Sequence, residues 1–327
     1  MTLIQSRLNP NTTLKIAYDG EAGIEKPQFI VAYWSIRGLG AALRMMLSAA
    51  EVNHWVILYD VAETEDGGWD KESYLRDKLW LKEEYNSLIN LPFLVDCRYD
   101  RVIAQTNAIF SYLGRELNMM GSGKHEQSKC EELLCEVMDL RNLMVRFAYR
   151  NEVFAGTDDA KQLVKEAAYH LDKFEEHLAK EGSNNTEREK RHLVGGNFSA
   201  PDFHLFEMLD QFEGLFKTYD LSLLWNTSRN GQSILRPYLS IFKKEFGDLR
   251  ENSAYLSSFL AKLPYNNPYA RFGSDPSTLG KYTRGQEAPW RNMGIVLHIR
   301  STIKCDEAQT YQDESERKRK LDKRGEE

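Results

Sequence analysis

A chain of 327 residues that is 42% hydrophobic and 11% aromatic is long enough for about two domains of roughly 150 residues each, and too apolar to be disordered. Its formal charge of −6 and isoelectric point near 5.8 exclude a general attraction to nucleic acid or to an anionic membrane surface. Four cysteines, Cys97, Cys130, Cys135 and Cys305, are too few and too scattered for a disulfide framework or a zinc knuckle; they read as ordinary thiols of a reducing compartment, with no metal site expected.

Residues 1–28 read as a polar N-terminal arm. Arg7 and Lys15, with no acid before Asp19, give it a faint likeness to an organelle presequence, but it has no long apolar core. "FIVAYW" at 29–34 is continuously apolar and bounded by Pro27 and by a turn ending in Gly38 and Gly40, the pattern of a buried strand. Leu39, Leu43, Met46 and Leu47 then recur at helical spacing up to Glu51. "HWVILYDV" at 54–61 is a second strand, and the polar segment after it reads as loop plus short helix. "NLPFLVD" at 90–96 and "RVIAQ" at 101–105 flank a turn as a hairpin, and helical spacing returns over 106–117 through Ile109, Tyr112 and Leu113. Strand, helix, strand, hairpin and helix together predict a small mixed sheet with helices packed on it.

After a linker at 118–125 strands disappear. Residues 126–150 and 158–180 are long amphipathic helical stretches, and Ser199 with Asp202 forms a capping-box pattern ahead of "FHLFEMLDQF". Further helices fit 233–245 and 252–262. The expected organisation is an α/β domain over 29–117, an all-helical domain over 126–265, and a C-terminal extension over 266–327 that is rich in Pro, Gly and Asn and ends in a charged tail. Arg317–Lys320 in that tail fits a nuclear signal or a nucleic-acid patch, whereas its interleaved acids favour a solvated face. No apolar run of about 18 residues is present, so no membrane span is expected.

Four motifs in order, "YWSIRGLG" at 33–40, "NLPFLVD" at 90–96, "QTNAI" at 105–109 and "NFSAPDF" at 197–203, resemble a cytosolic glutathione transferase of the mu class over roughly residues 29–265. The resemblance implies a thioredoxin-like N-terminal domain that binds glutathione and an all-α domain that supplies most of the pocket for an electrophile. Glutathione is then a co-substrate and no further cofactor is required. By the same resemblance Tyr33 is the donor that stabilises the glutathione thiolate. Only a few per cent of a free thiol is ionised near neutrality, and a hydrogen bond to sulfur depresses its pKa, each unit being about 1.4 kcal/mol. Asn90, Leu91 and Pro92 match a cis-proline turn whose backbone pairs with the peptide. Gln105 and Thr106 match the pair that holds the γ-glutamyl carboxylate at a helix N-terminus, where an anion is favoured. Trp34 and Trp80 match donors to the glycyl end. Asp139 matches a residue that reaches the glutathione of the other subunit, and Tyr149 matches a residue lining the electrophile pocket.

Two departures accompany the match. Glu84 stands where the mu pattern has a lysine for the glycyl carboxylate, with Lys82 nearby, and the Trp80–Pro92 segment, which carries the aromatic knob of the mu dimer, is about three residues shorter. Expected partners are therefore glutathione, small electrophiles and a second copy of the chain through an altered contact, in the cytoplasm. A dinucleotide site is excluded because "GLGAAL" lacks the third glycine, and a thioredoxin-type oxidoreductase because Tyr33, Trp34 and Ser35 occupy the turn where a cysteine is needed. The alternative is a non-catalytic scaffold of the same fold inside an assembly.

Overall fold

Strand β2, Phe29–Trp34, is buried along its whole length and forms the centre of a five-stranded sheet. The computed structural model describes residues 13–18, 27–34, 37–59, 62–63, 69–148, 157–181, 192–219 and 233–252. All of them fall in one compact unit. Strand β1 is Thr13–Tyr18, inside the segment read as a polar arm, and β3 is His54–Tyr59. Two-residue strands β4, Ala62–Glu63, and β5, Trp69–Asp70, pair with each other, while β6, Phe93–Asp96, and β7, Arg101–Ala104, complete the main sheet. The strand order is β1-β3-β2-β6-β7; β2 and β3 are parallel, and the remaining pairs are antiparallel.

The parallel pair needs a crossover, which helix α1, Ala41–Ala49, supplies. Helix α2, Glu72–Glu84, spans thirteen residues where the polar segment reads as a short helix. It buries Tyr74, Asp77 and Leu81 but leaves Leu75 and Leu79 exposed, so its amphipathic signal is weak. Helix α3 is Thr106–Glu116, α4 is Gly123–Ala148, α5 is Thr157–Glu181, α6 is Ala200–Tyr219 and α7 is Leu235–Asn252. Helix α4 starts inside the segment read as a linker. Helix α7 is interrupted at Phe246 (φ −113°, ψ 17°) and continues to Asn252, and the helix read at 252–262 lies, beyond its first residue, outside the described residues.

Successive strand side chains point to opposite faces, and the core divides accordingly. Phe29, Val31, Val56 and Leu94 join α1, α3 and the helices α4–α7 in one continuous cluster, whereas Ile30, Ala32, Trp34, Ile57 and Phe93 pack with α2 in another. Each fully buried Leu, Val or Phe contributes about 1.5–3 kcal/mol relative to exposure. The sheet and the helical bundle thus stand on one shared core, and α1 is the element between them.

The hairpin turn is closed by Asp96. Its Oδ1 accepts from the Arg98 amide at 3.0 Å and its Oδ2 from the Tyr112 hydroxyl at 2.6 Å, while the Arg98 guanidinium lies 4.8 Å from the Phe29 ring centroid. Burial raises the Asp96 carboxyl, but the bonds from Arg98 and Tyr112 outweigh it and hold the group below its ordinary range. The capping box at α6 also forms. Asp202 accepts from the Ser199 amide at 2.7 Å and hydroxyl at 2.6 Å, from the Leu193 amide at 3.0 Å and from the Tyr238 hydroxyl at 2.7 Å.

Candidate active site

Strand register brings three chain segments to one end of the sheet. Ala32 pairs with Phe93, and Phe93 pairs with Ala104, so one step further along lie Tyr33, Pro92 and Gln105. Neighbouring strands are about 4.8 Å apart, which puts these three backbones within about 10 Å.

Tyr33 has its ring against the start of α1. The turn is tied at Arg37, whose carbonyl accepts from the amides of Gly40 at 2.8 Å and Ala41 at 2.9 Å. A Cβ on Gly38 would sit 2.6 Å from Tyr33 Cε1 and 2.7 Å from its hydroxyl oxygen; one on Gly40 would sit 2.7 Å from Tyr33 Cβ. Gly38 also has φ +37°, so both geometry and space demand glycine there. Tyr33 is 7% exposed, and its hydroxyl has no hydrogen-bond partner among the described residues.

The Leu91–Pro92 bond is cis, the geometry the resemblance implies; Leu91 is half-buried and Asn90 is exposed. Gln105 carries φ +73° and ψ 118°, an uncommon backbone state for a side chain of its size. Its carbonyl accepts from the Ile109 amide at 2.9 Å, but its side chain caps nothing, so the ordinary capping role is not the one it serves. The first turn of α3 contains no acid to offset the positive end of the helix dipole. Thr106 is buried beside it.

Trp34 packs on the opposite face of β2, its ring 5.4 Å from Tyr74 and 6.4 Å from Tyr59 in edge contacts. Tyr59 donates to Asp77 at 2.8 Å, and burial followed by the Asp77 charge keeps its phenol protonated far above its usual range. Trp80, Tyr85 and Leu91 border the same cluster. Glu84 and Lys82 are both exposed at the end of α2. Asp139 stands exposed on α4, and Tyr149 lies outside the described residues. Burial pushes the thiols of Cys97 and Cys130 up to about 12, so neither supplies a thiolate near neutrality. Among the described residues no group of three or more His, Cys, Asp or Glu is placed to hold a metal ion, and no helix is long and apolar enough to cross a membrane.

One feature of the site was invisible to sequence reading. Arg37 is buried, with Nε 2.9 Å from Glu207 Oε1 and Nη2 donating to Glu207 Oε2 at 3.1 Å and to Asp210 Oδ2 at 2.5 Å. The only local hint was a pair of acids in the apolar run of α6.

Residues 138–224 match the family model described as glutathione S-transferase, C-terminal domain. The chain is 28% identical over 251 residues to glutathione S-transferase Mu 3 of Homo sapiens, covering 76% of this chain and 96% of that protein. It is 28% identical over 258 residues to glutathione S-transferase Mu 6 of Mus musculus, covering 79% of this chain and 98% of the relative. Among solved structures, the glutathione S-transferase Blo t 8 aligns with a TM-score of 0.56 at 20% identity over 75% of this chain and 99% of its own. That from Ascaris lumbricoides aligns with a TM-score of 0.51 at 23% identity, over 69% and 98%. These two likenesses bear on the fold, which is a thioredoxin-like sheet domain joined to a helical one.

Proposed function

We propose, from the premise that the chain belongs to the glutathione transferase family, that Tyr33 activates the thiol of glutathione for attack on small, partly apolar electrophiles. The reaction is glutathione conjugation. The thiol proton leaves to solvent, and the Tyr33 hydroxyl donates a hydrogen bond to the remaining sulfur anion. The sulfur lone pair then forms a carbon–sulfur bond as the electrophile's leaving group departs with its electron pair, or as an added double bond takes up a proton. No enzyme nucleophile is required.

The observation that supports this reading is the position of Tyr33. Its hydroxyl lies against Gly38 without a partner among the described residues, at the sheet end shared with the cis Leu91–Pro92 turn and the N-terminus of α3. In this reading the Leu91 backbone pairs with the peptide, Gln105 and Thr106 hold the γ-glutamyl carboxylate, and Asn90, Trp34 and Trp80 border the tripeptide. Asp139 reaches the glutathione of a second copy of the chain, and Tyr149 lines the electrophile pocket. The setting is a cytoplasmic homodimer engaged in detoxification. Near-full-length similarity to mu-class transferases favours this enzyme over a scaffold.

Tyr33→Phe tests it. A hydrogen bond to a charged group is worth about 1.5–3 kcal/mol, so the thiol pKa of bound glutathione, read by ultraviolet thiolate absorbance, should rise by about 1–2 units. Turnover should fall about 10- to 100-fold, with KM for glutathione nearly unchanged. Lost affinity with intact turnover would refute the role.

A further inference from the structure

We propose that Glu207 and Asp210 of α6 are positioning residues for thiol activation, acting through Arg37 and Gly38 on the aim of the Tyr33 hydroxyl. The inference rests on the role given to Tyr33 above and adds the means by which the helical domain controls it.

The chain of contact is short. Arg37 Nη2 donates to Glu207 Oε2 at 3.1 Å and to Asp210 Oδ2 at 2.5 Å, and Nε lies 2.9 Å from Glu207 Oε1 as an ion-pair contact. Charge-assisted hydrogen bonds to two carboxylates fix direction as well as distance. Both ends are buried: Arg37 is 5% exposed, Glu207 1% and Asp210 9%. The Arg37 carbonyl in turn closes the first turn of α1, and the next residue, Gly38, lies under the Tyr33 hydroxyl. A shift of Arg37 therefore moves the surface against which the phenol rests. The carboxylates are themselves held. Gln211 donates to Glu207 Oε1 at 2.8 Å, and Lys243 of α7 lies 3.0 Å from Asp210 Oδ1 while also pairing with Glu213.

Burying these charges costs desolvation free energy that apolar packing would avoid, so stability alone does not account for them. Directional control of a turn 170 residues away in sequence does. Arg37 belongs to the domain that carries the phenol and the acids to the helical domain, so the orientation of the thiol activator is set across the domain boundary.

The sign of the effect separates positioning from simple electrostatics. Removing a negative charge near the sulfur would, by Coulomb's law, favour the thiolate and lower its pKa. Loosening the Tyr33 hydroxyl would raise it. The test compares wild type with Asp210→Asn and with the double variant Glu207→Gln/Asp210→Asn, at saturating glutathione. It reads thiolate absorbance against pH, together with kcat and KM for glutathione. The double variant should raise the thiol pKa by about one unit and lower kcat about tenfold, with KM changed less than about threefold. Asp210→Asn alone, which leaves Glu207 on Arg37 and tolerates a fold too weak for the double change, should shift both in the same direction by less. A wild-type thiolate with an unchanged or lowered pKa in the variants overturns the positioning role and leaves Tyr33 standing. A wild type with an ordinary thiol pKa overturns both.

Discussion

Gly38→Ala is the sharpest probe of the turn that carries the phenol. The added methyl would lie 2.6 Å from Tyr33 Cε1, 2.7 Å from its hydroxyl oxygen and 3.0 Å from Cζ. Ordinary contact begins at 3.4 Å, so the ring must recede by about 0.8 Å or the turn must open by as much. A misplacement near 1 Å at a reacting centre costs on the order of 100-fold in rate, so kcat should fall roughly 10- to 100-fold. Alanine at φ +37° also costs about 1–2 kcal/mol of stability. Turnover is therefore measured well below the unfolding midpoint, with denaturant unfolding recorded alongside. Gly196→Ala is the control, because no heavy atom lies within 4 Å of its added methyl. A Gly38→Ala enzyme with kcat within about twofold of wild type, or with its loss confined to KM, would refute the claim that this glycine sets the phenol.

Asp202→Ala should be far more costly than Tyr238→Phe. The first leaves the Leu193 and Ser199 amides and the Tyr238 hydroxyl as buried donors without an acceptor, about 3 kcal/mol or more in urea unfolding, and the second removes one bond for about 1 kcal/mol; equal losses would contradict this. Acid should destabilise the fold through two buried histidines. Burial lowers His54 to about 4 and, with Arg141 adding to the effect, His204 to about 3, so both stay neutral when folded while the unfolded chain takes up protons below about 6.5. Their stabilisation is complete above that pH and drains away as pH falls toward 4. His204→Leu should flatten the decline in unfolding free energy by about 1.4 kcal/mol per pH unit within that window, and a parallel profile would disprove the assignment. Gln105→Gly removes the strained backbone state, so unfolding free energy should change by less than about 1 kcal/mol while KM for glutathione rises about tenfold; an unchanged KM would take Gln105 out of the site.

What could be read in advance was local. The strand-to-helix turn announces itself in consecutive residues, Tyr33 to Gly40, and the Asn90–Pro92 turn and the Ser199–Asp202 cap lie within spans of a few residues. The hairpin follows from two apolar runs around one turn. Helix α2 was underestimated because it rests on Tyr74, Asp77 and Leu81 alone and leaves Leu75 and Leu79 to solvent. The break in α7 falls at Phe246, beside Gly247, the point where the helix read over 233–245 also ends. The Arg37 clamp joins residues 170 and 173 positions apart, and periodicity carries no information at that range. Arg37 stands in the turn at 33–40, and nothing near it in sequence marks Glu207 or Asp210 as its partners.

The strand at Thr13–Tyr18 has a consequence for solubility. It covers the outer side of β3, whose sequence "HWVILY" is the kind of segment that recruits foreign strands when its amides and carbonyls stand unpaired. Its own pairing slips between Ile16 and Tyr18, an irregularity of the type that discourages another chain from continuing the ladder. A version of the protein trimmed to residue 27 would keep every group assigned to the active site, yet it would present β3 as a bare, apolar edge. Loss of material to aggregation in such a version would then be a property of the sheet margin and would say nothing about the chemistry.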